Sequence, residues 1–99
     1  MDITQHLHKT QVRIDQRLRV GTKIIVIPTD IDASGVRLNL RGEKVGGPDD
    51  GAAVHESAEL AVGSKIDFGD QIVVYLLGVA ADVAQFGVTC PNQFVVYVE

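Results

Sequence analysis

Hydrophobic and polar positions alternate along much of the chain. Val12, Ile14, Gln16, Leu18 and Val20 fall on every second position, with Arg13, Asp15, Arg17 and Arg19 between them. A period of two turns one set toward a core and the other toward water. It predicts a half-buried strand over 11–20 with three arginines on its outer face. Residues 23–28 form an apolar run closed by Pro28 and read as a second strand. Asp30-Ile31-Asp32-Ala33-Ser34-Gly35 reads as a turn, because Asp and Ser side chains bond their own backbone and Gly35 is permissive. Val36, Leu38 and Leu40 alternate with Arg37 and Asn39, giving a further strand.

Residues 41–51 hold four glycines, a proline and two aspartates, the composition of a loop. Ala53-Val54-His55 then predicts a short strand. The second half follows the same pattern, with strands over 65–68, 71–77, 83–89 and 94–98, Gly69-Asp70 as a tight turn and Pro91-Asn92 as a break. About seven short strands result, over a single domain of residues 11–99. Residues 1–10 are expected as a polar arm, with 2–9 the one helix candidate. The economical architecture is an all-β small barrel or sandwich.

Composition agrees. The chain carries 15 Val and 8 Ile against 7 Leu and one Met, and β-branched side chains favour pleated surfaces. Ninety-nine residues allow one domain with one modest core and exclude a two-domain enzyme. No apolar run approaches the roughly 18 residues of a membrane helix. The first residues are too polar for a secretion signal, and a lone Cys90 forms no internal disulfide, so a cytoplasmic protein is expected. The last strand offers an edge that a second copy or a protein partner can pair with, so a homodimer is expected.

The halves echo each other. Arg19-Val20-Gly21-Thr22-Lys23 resembles Ala61-Val62-Gly63-Ser64-Lys65, Ile24-Ile25-Val26 resembles Ile72-Val73-Val74, and residues 36–40 resemble 84–88. An internal duplication, with repeats over 11–56 and 57–99, is one reading of this.

Charge adds a direction. The net charge is −4, which opposes nucleic-acid binding for the chain as a whole. Residues 1–23, however, carry five of the nine basic groups and only two acids. A binding face is expected there. Arg13, Arg17 and Arg19 form the sharpest chemical feature, since guanidinium groups hold phosphate bidentately and stack on bases. The five aromatics, Phe68, Tyr75, Phe86, Phe94 and Tyr97, all lie in the second half. No stacking platform interleaved with the arginines is visible in the sequence.

Other candidates read as structural. His6-x-His8 lacks further metal ligands, the aspartates lack calcium-loop spacing, and Gly46-Gly47-Pro48 lacks the Lys-Ser/Thr of a phosphate loop. Cys90, beside Pro91 and without an activating base, reads as a small buried apolar residue. No nucleophile–base arrangement stands out, so no enzyme, metal or cofactor is expected.

Residues 62–96 resemble the CsrA/RsmA carbon storage regulators. The likeness rests on Val62-Gly63, Ile66, Gly69-Asp70, Ile72, Leu77-Gly78-Val79, Gly87, Pro91 and Val96 at ungapped spacing. It implies an all-β fold that exchanges edge strands between two chains and binds GGA-containing RNA loops to regulate translation. In that family a basic first strand and an arginine near the end of the last strand contact RNA. Here Ala58-Glu59-Leu60-Ala61 and Val98 stand at those places, whereas Arg17-Leu18-Arg19-Val20-Gly21 resembles the basic first strand and Ala53-Val54-His55 the last. Glu56 follows where the arginine is expected, and the pattern of the first half predicts no short strand with a Gly-Asp turn. The resemblance implies an RNA site of Arg13, Arg17, Arg19 and His55. A second likeness is to the PilZ domains. Arg13-x-x-x-Arg17 with Asp30-x-Asp32-x-x-Gly35 resembles their cyclic di-GMP signature, with Asp32 in the place of a serine. A third reading keeps the scaffold as a non-catalytic protein-interaction module.

Overall fold

The computed structural model describes residues 5–99. It is all-β, with nine strands and no helix among the described residues. These are β1 (Gln5–Arg13), β2 (Leu18–Val20), β3 (Ile24–Asp32), β4 (Gly35–Glu43), β5 (Ala53–Ala61), β6 (Lys65–Phe68), β7 (Ile72–Ala80), β8 (Val83–Pro91) and β9 (Val96–Val98). They form two antiparallel sheets, a four-stranded one ordered β1-β8-β7-β6 and a five-stranded one ordered β5-β4-β3-β2-β9. The architecture is a sandwich rather than a closed barrel.

One core lies between the sheets. Leu18, Val20, Ile24, Val26, Leu38 and Leu40 come from the five-stranded sheet, and Val12, Phe68, Ile72, Val74, Leu76, Phe86 and Val88 from the other. Each is buried because its strand alternates faces, and no buried polar residue interrupts them among the described residues. Cys90 belongs to this core, as expected of a small apolar side chain, and burial raises its thiol pKa.

The two sheets are built alike at a fixed offset. Gly35 and Glu43 bound β4, and Val83 and Pro91, 48 positions on, bound β8. The same 48 positions relate β3 to β7 and β1 to β5. They also carry β2 onto the last three residues of β6. Even the bulges correspond: register slips between Pro28 and Asp30 in one sheet and between Leu76 and Gly78 in the other. Ile24-Ile25-Val26 and residues 36–40 therefore coincide with the echoes that the sequence suggests. Arg19–Lys23 does not. At this offset Leu18-Arg19-Val20-Gly21 coincides with Ile66-Asp67-Phe68-Gly69, so the first half does contain the short strand and glycine turn.

Two further expectations change. Residues 5–10, expected as part of an arm, begin a full strand, because β8 offers an edge along nine residues from Pro91 to Val83. Residues 1–4 lie outside the described residues. The strand expected over 11–20 is two strands in different sheets. A turn at Ile14-Asp15 interrupts it, closed by the Gln16 amide donating to the Arg13 carbonyl (3.1 Å) and the Arg13 amide to the Gln16 side chain (2.9 Å). Ile14 is left 44% exposed instead of entering the core. Alternation alone cannot see this break, since the chain resumes the same parity after crossing between sheets.

Candidate nucleic-acid interface

The outer face of the five-stranded sheet gathers most of the basic residues. Along β2, Leu18 and Val20 point inward, so Arg19 points out. Antiparallel register then fixes its neighbours. Arg19 lies opposite Tyr97 on β9 and Ile25 on β3. Ile25 lies opposite Arg41 on β4, and Arg41 opposite His55 on β5. Directly opposed residues share a face. One row therefore crosses all five strands: Tyr97, Arg19, Ile25, Arg41, His55. Adjacent strands lie about 4.8 Å apart, so the row spans about 19 Å.

A second basic group extends it. Arg17 and Glu99 exchange both backbone hydrogen bonds (2.9 Å each), which continues the β2–β9 ladder and puts Arg17 two positions from Arg19 on the same face. Arg37 belongs to this face through the parity of β4, and Lys23, in the turn before β3, reaches it through Glu43, whose amide donates to the Lys23 carbonyl (2.8 Å). Three of these cations are paired at the surface: Arg19 Nε with Glu99 Oε1 at 2.7 Å, Lys23 with Glu43 at 3.2 Å and Arg37 with Glu59 at 3.0 Å. Arg17 and Arg41 have no carboxylate partner among the described residues. Five cations share this face with five carboxylates, since the register also sets Asp30 opposite Arg37 and Asp32 opposite Gly35. Both aspartates lie toward the end of β3 away from Arg19 and Arg41, so the basic groups are locally concentrated at the Arg17–Arg19–Arg41 end.

The candidate residues read from the sequence divide accordingly. Arg17, Arg19 and His55 lie on this face. Arg13 does not: it ends β1 in the other sheet, opposite Val83. Arg41 and Tyr97 join the face without a signal in the local sequence. Arg41 sits at the start of the segment whose composition predicts a loop, but β4 runs to Glu43. It can do so because Gly42 carries a φ of +135° and lies against the Lys23 carbonyl, where any Cβ would collide. Tyr97 reaches Arg19 because β9 turns back to pair with β2, Val96 against Val20 and Tyr97 against Arg19. No local pattern signals that return, and an aromatic remote from the arginines in sequence lies next to one in space.

The cyclic di-GMP set is dispersed. Asp32 is consumed by its own turn: its Oδ1 accepts from the Ser34 amide (2.8 Å), the Ser34 hydroxyl (2.7 Å) and the Gly35 amide (3.1 Å). The Ser34 hydroxyl bond, followed by the Ser34 and Gly35 amides, holds the Asp32 carboxyl below its ordinary pKa. Asp30, Asp32 and Gly35 line a cavity of about 350 Å³ with Arg37 and Glu59, and neither Arg13 nor Arg17 borders it. The turn expected over 30–35 is shorter than that: Asp30, Ile31 and Asp32 still pair in β3, Gly35 opens β4, and the chain reverses at Ala33-Ser34 under the Asp32 carboxylate. The His6 side chain lies outside the described residues, and no cluster of His, Cys, Asp and Glu suited to a metal occurs among the described residues. No helix among them is long and apolar enough to cross a membrane.

No protein-family model, curated protein or solved structure matches the chain.

Proposed function

We propose that this chain is a non-enzymatic RNA-binding regulator of translation, working in the cytoplasm, that engages a short single-stranded loop on the outer face of its five-stranded sheet. The observation that carries the reading is the Tyr97–Arg19–Ile25–Arg41–His55 row. A row of this kind supplies both halves of loop recognition. Arg19, Arg41 and Arg17 offer forked donors to phosphates and guanine edges, and Tyr97 and His55 offer ring faces for unstacked bases. Ion pairs at exposed sites contribute about 0–1 kcal/mol, so phosphate can displace the glutamates from Arg19, Lys23 and Arg37.

The resemblance to the carbon storage regulators supports the same reading and names a probe, a GGA loop. It also implies exchange of edge strands between two chains. Here an exchange of that kind occurs within one: β1 of the first half pairs with β8 of the second, and β9 of the second with β2 of the first. The homodimer expected from the sequence would join two such units through their remaining edges.

The test is a fluorescence-anisotropy titration of a GGA-containing hairpin RNA at low and moderate salt, with a scrambled loop as control. Loop-dependent binding that weakens about tenfold in Arg41→Ala and Tyr97→Ala, and is untouched in Arg13→Ala, is the expected result. Absence of binding at tens of micromolar in low salt overturns the reading. Equal loss in Arg13→Ala and Arg41→Ala moves the site off this face.

A further inference from the structure

The 48-residue correspondence allows the two outer faces to be compared position by position. On the RNA-facing sheet stand Arg19, Ile27, Thr29, Asn39, Arg41 and His55. The corresponding places on the other sheet hold Asp67, Tyr75, Leu77, Gly87, Thr89 and Leu7. Arg19, Arg41 and His55 give way to Asp67, Thr89 and Leu7, while Arg17 keeps a positive charge as Lys65, and polar Thr29 and Asn39 give way to Leu77 and Gly87. This second face is not a second copy of the first.

Its centre is hydrophobic. Leu7 and Leu77 are 47% and 41% exposed, and both lean over Gly87, where a Cβ would meet Leu7 Cδ1 at 2.8 Å and Leu77 Cδ1 at 3.2 Å. Tyr75 lies beside Gly87, opposite it in the β7–β8 register, and Val73 is two residues away on the same face. The register Lys9–Gly87–Tyr75–Lys65 sets a lysine on each side of this patch. A shallow cavity of about 250 Å³ opens next to it, lined by Lys9, Thr10, Gln11, Leu77, Gln85 and Phe86. Arg13 adds a third cation at the end of β1. Asp67 is the one carboxylate among the described strand residues of this face, and it lies 3.9 Å from Lys65.

We infer that the outer face of the four-stranded sheet is a docking surface for an acidic, amphipathic protein segment, whose apolar side chains cover Leu7, Leu77 and Tyr75 while its carboxylates meet Lys9, Lys65 and Arg13. Exposed apolar surface rimmed by charge marks interaction sites, and the sign of the rim selects the partner. A second copy is the poorer match on charge: the face carries Lys9, Arg13 and Lys65 against the single carboxylate of Asp67, so two such faces brought together repel, whereas an acidic segment is attracted. The inference stands apart from RNA binding and survives its failure.

The experiment is a selection of displayed random 16-residue peptides on the immobilised full chain, counter-selected against a Leu7→Gln, Leu77→Gln variant. Both leucines are substantially exposed, and a matching thermal melt verifies that the variant folds. The expected pool combines Asp and Glu with Leu, Phe or Trp. Its synthetic peptides bind the parent chain and lose at least about tenfold in affinity with the double variant and with Lys9→Glu, Lys65→Glu. A variant-sensitive pool that is basic or uncharged overturns the proposal, as does a selection that yields no variant-sensitive pool. Loss of the GGA-hairpin complex in the leucine variant also overturns it, because the face would then be part of an RNA site.

Discussion

Glu99 restrains the proposed RNA face, and its removal is expected to strengthen binding. Its carboxylate holds Arg19 Nε at 2.7 Å, with the two side chains 25% and 45% exposed for Arg19 and Glu99 respectively. A phosphate that takes this guanidinium must break the pair and then sit near the displaced carboxylate. Breaking a half-exposed pair costs about 0.5 kcal/mol. Repulsion between phosphate and carboxylate at about 5 Å in a water-like dielectric adds about 0.8 kcal/mol. Glu99→Gln removes both costs, for a gain of about 1–1.5 kcal/mol and roughly five- to tenfold tighter binding. It also frees one cation for counterion exchange, which steepens the slope of log affinity against log salt by about 0.7 for a single strand. Anisotropy titrations of the GGA hairpin across about 50–200 mM salt, parent against Glu99→Gln, measure both quantities. Misfolding cannot mimic a gain in affinity. Unchanged or weaker binding with an unchanged slope would show that Arg19 makes no phosphate contact, and the proposed row would lose its second member.

Three further outcomes are expected. Ala81, with φ of +57° in the β7–β8 turn, is the one non-glycine residue in the left-handed region among the described residues, so Ala81→Gly should stabilise the chain by about 0.5–1 kcal/mol in urea unfolding; a loss of stability would contradict that turn geometry. The lowered pKa of Asp32 means that the charged carboxylate contributes stability above its unfolded value of about 3.9, and that this is lost as pH falls through the folded value; Asp32→Ala should therefore lower the melting temperature at pH 7 and flatten its decline below about pH 4, and identical melting curves for both proteins would refute the turn's role. Grafting the row at the 48-residue offset, Leu7→His, Asp67→Arg and Thr89→Arg, should add a second, weaker hairpin site detectable as a two-to-one complex in native mass spectrometry; retained one-to-one stoichiometry would show that the aromatic from β9 is indispensable.

The legible part of the fold is what local chemistry dictates. β-branched content, the Asp32–Gly35 turn and the period-two runs in β3, β4, β7 and β8 follow from side-chain shape and pleat geometry, and they locate the core without any knowledge of pairing. What stayed hidden was long-range. The break at Ile14-Asp15 preserves the alternation on either side, so one strand and two strands in different sheets share one pattern. Residues 7–10 look too polar for a strand because, paired along the β8 edge, they keep one face in water. The Arg17–Gly21 segment resembles a basic first strand by composition, whereas its place in the sheet is that of Lys65–Gly69. Arg17, Arg19 and His55 are legible as chemistry, but which of them meet is decided by register. Arg41 and Tyr97 carry no local signal at all.

Register also explains how one chain can carry two unlike surfaces on a repeated scaffold. The positions that fill the core are similar across the offset: Ile24 and Ile72, Val26 and Val74, Leu40 and Val88. Substitution there costs stability, through lost burial or overpacking, in whichever half it falls. The outward positions have no such constraint, because a solvent-facing strand residue contributes little to the fold. Arg19 against Asp67, Arg41 against Thr89 and His55 against Leu7 can therefore diverge without disturbing a shared architecture. Within a single chain each face changes independently, whereas in a symmetric dimer every substitution appears on both faces. Two sheets built alike within one chain thus let a basic row and an apolar patch rimmed by lysine coexist on one small protein, as the two proposed binding faces require.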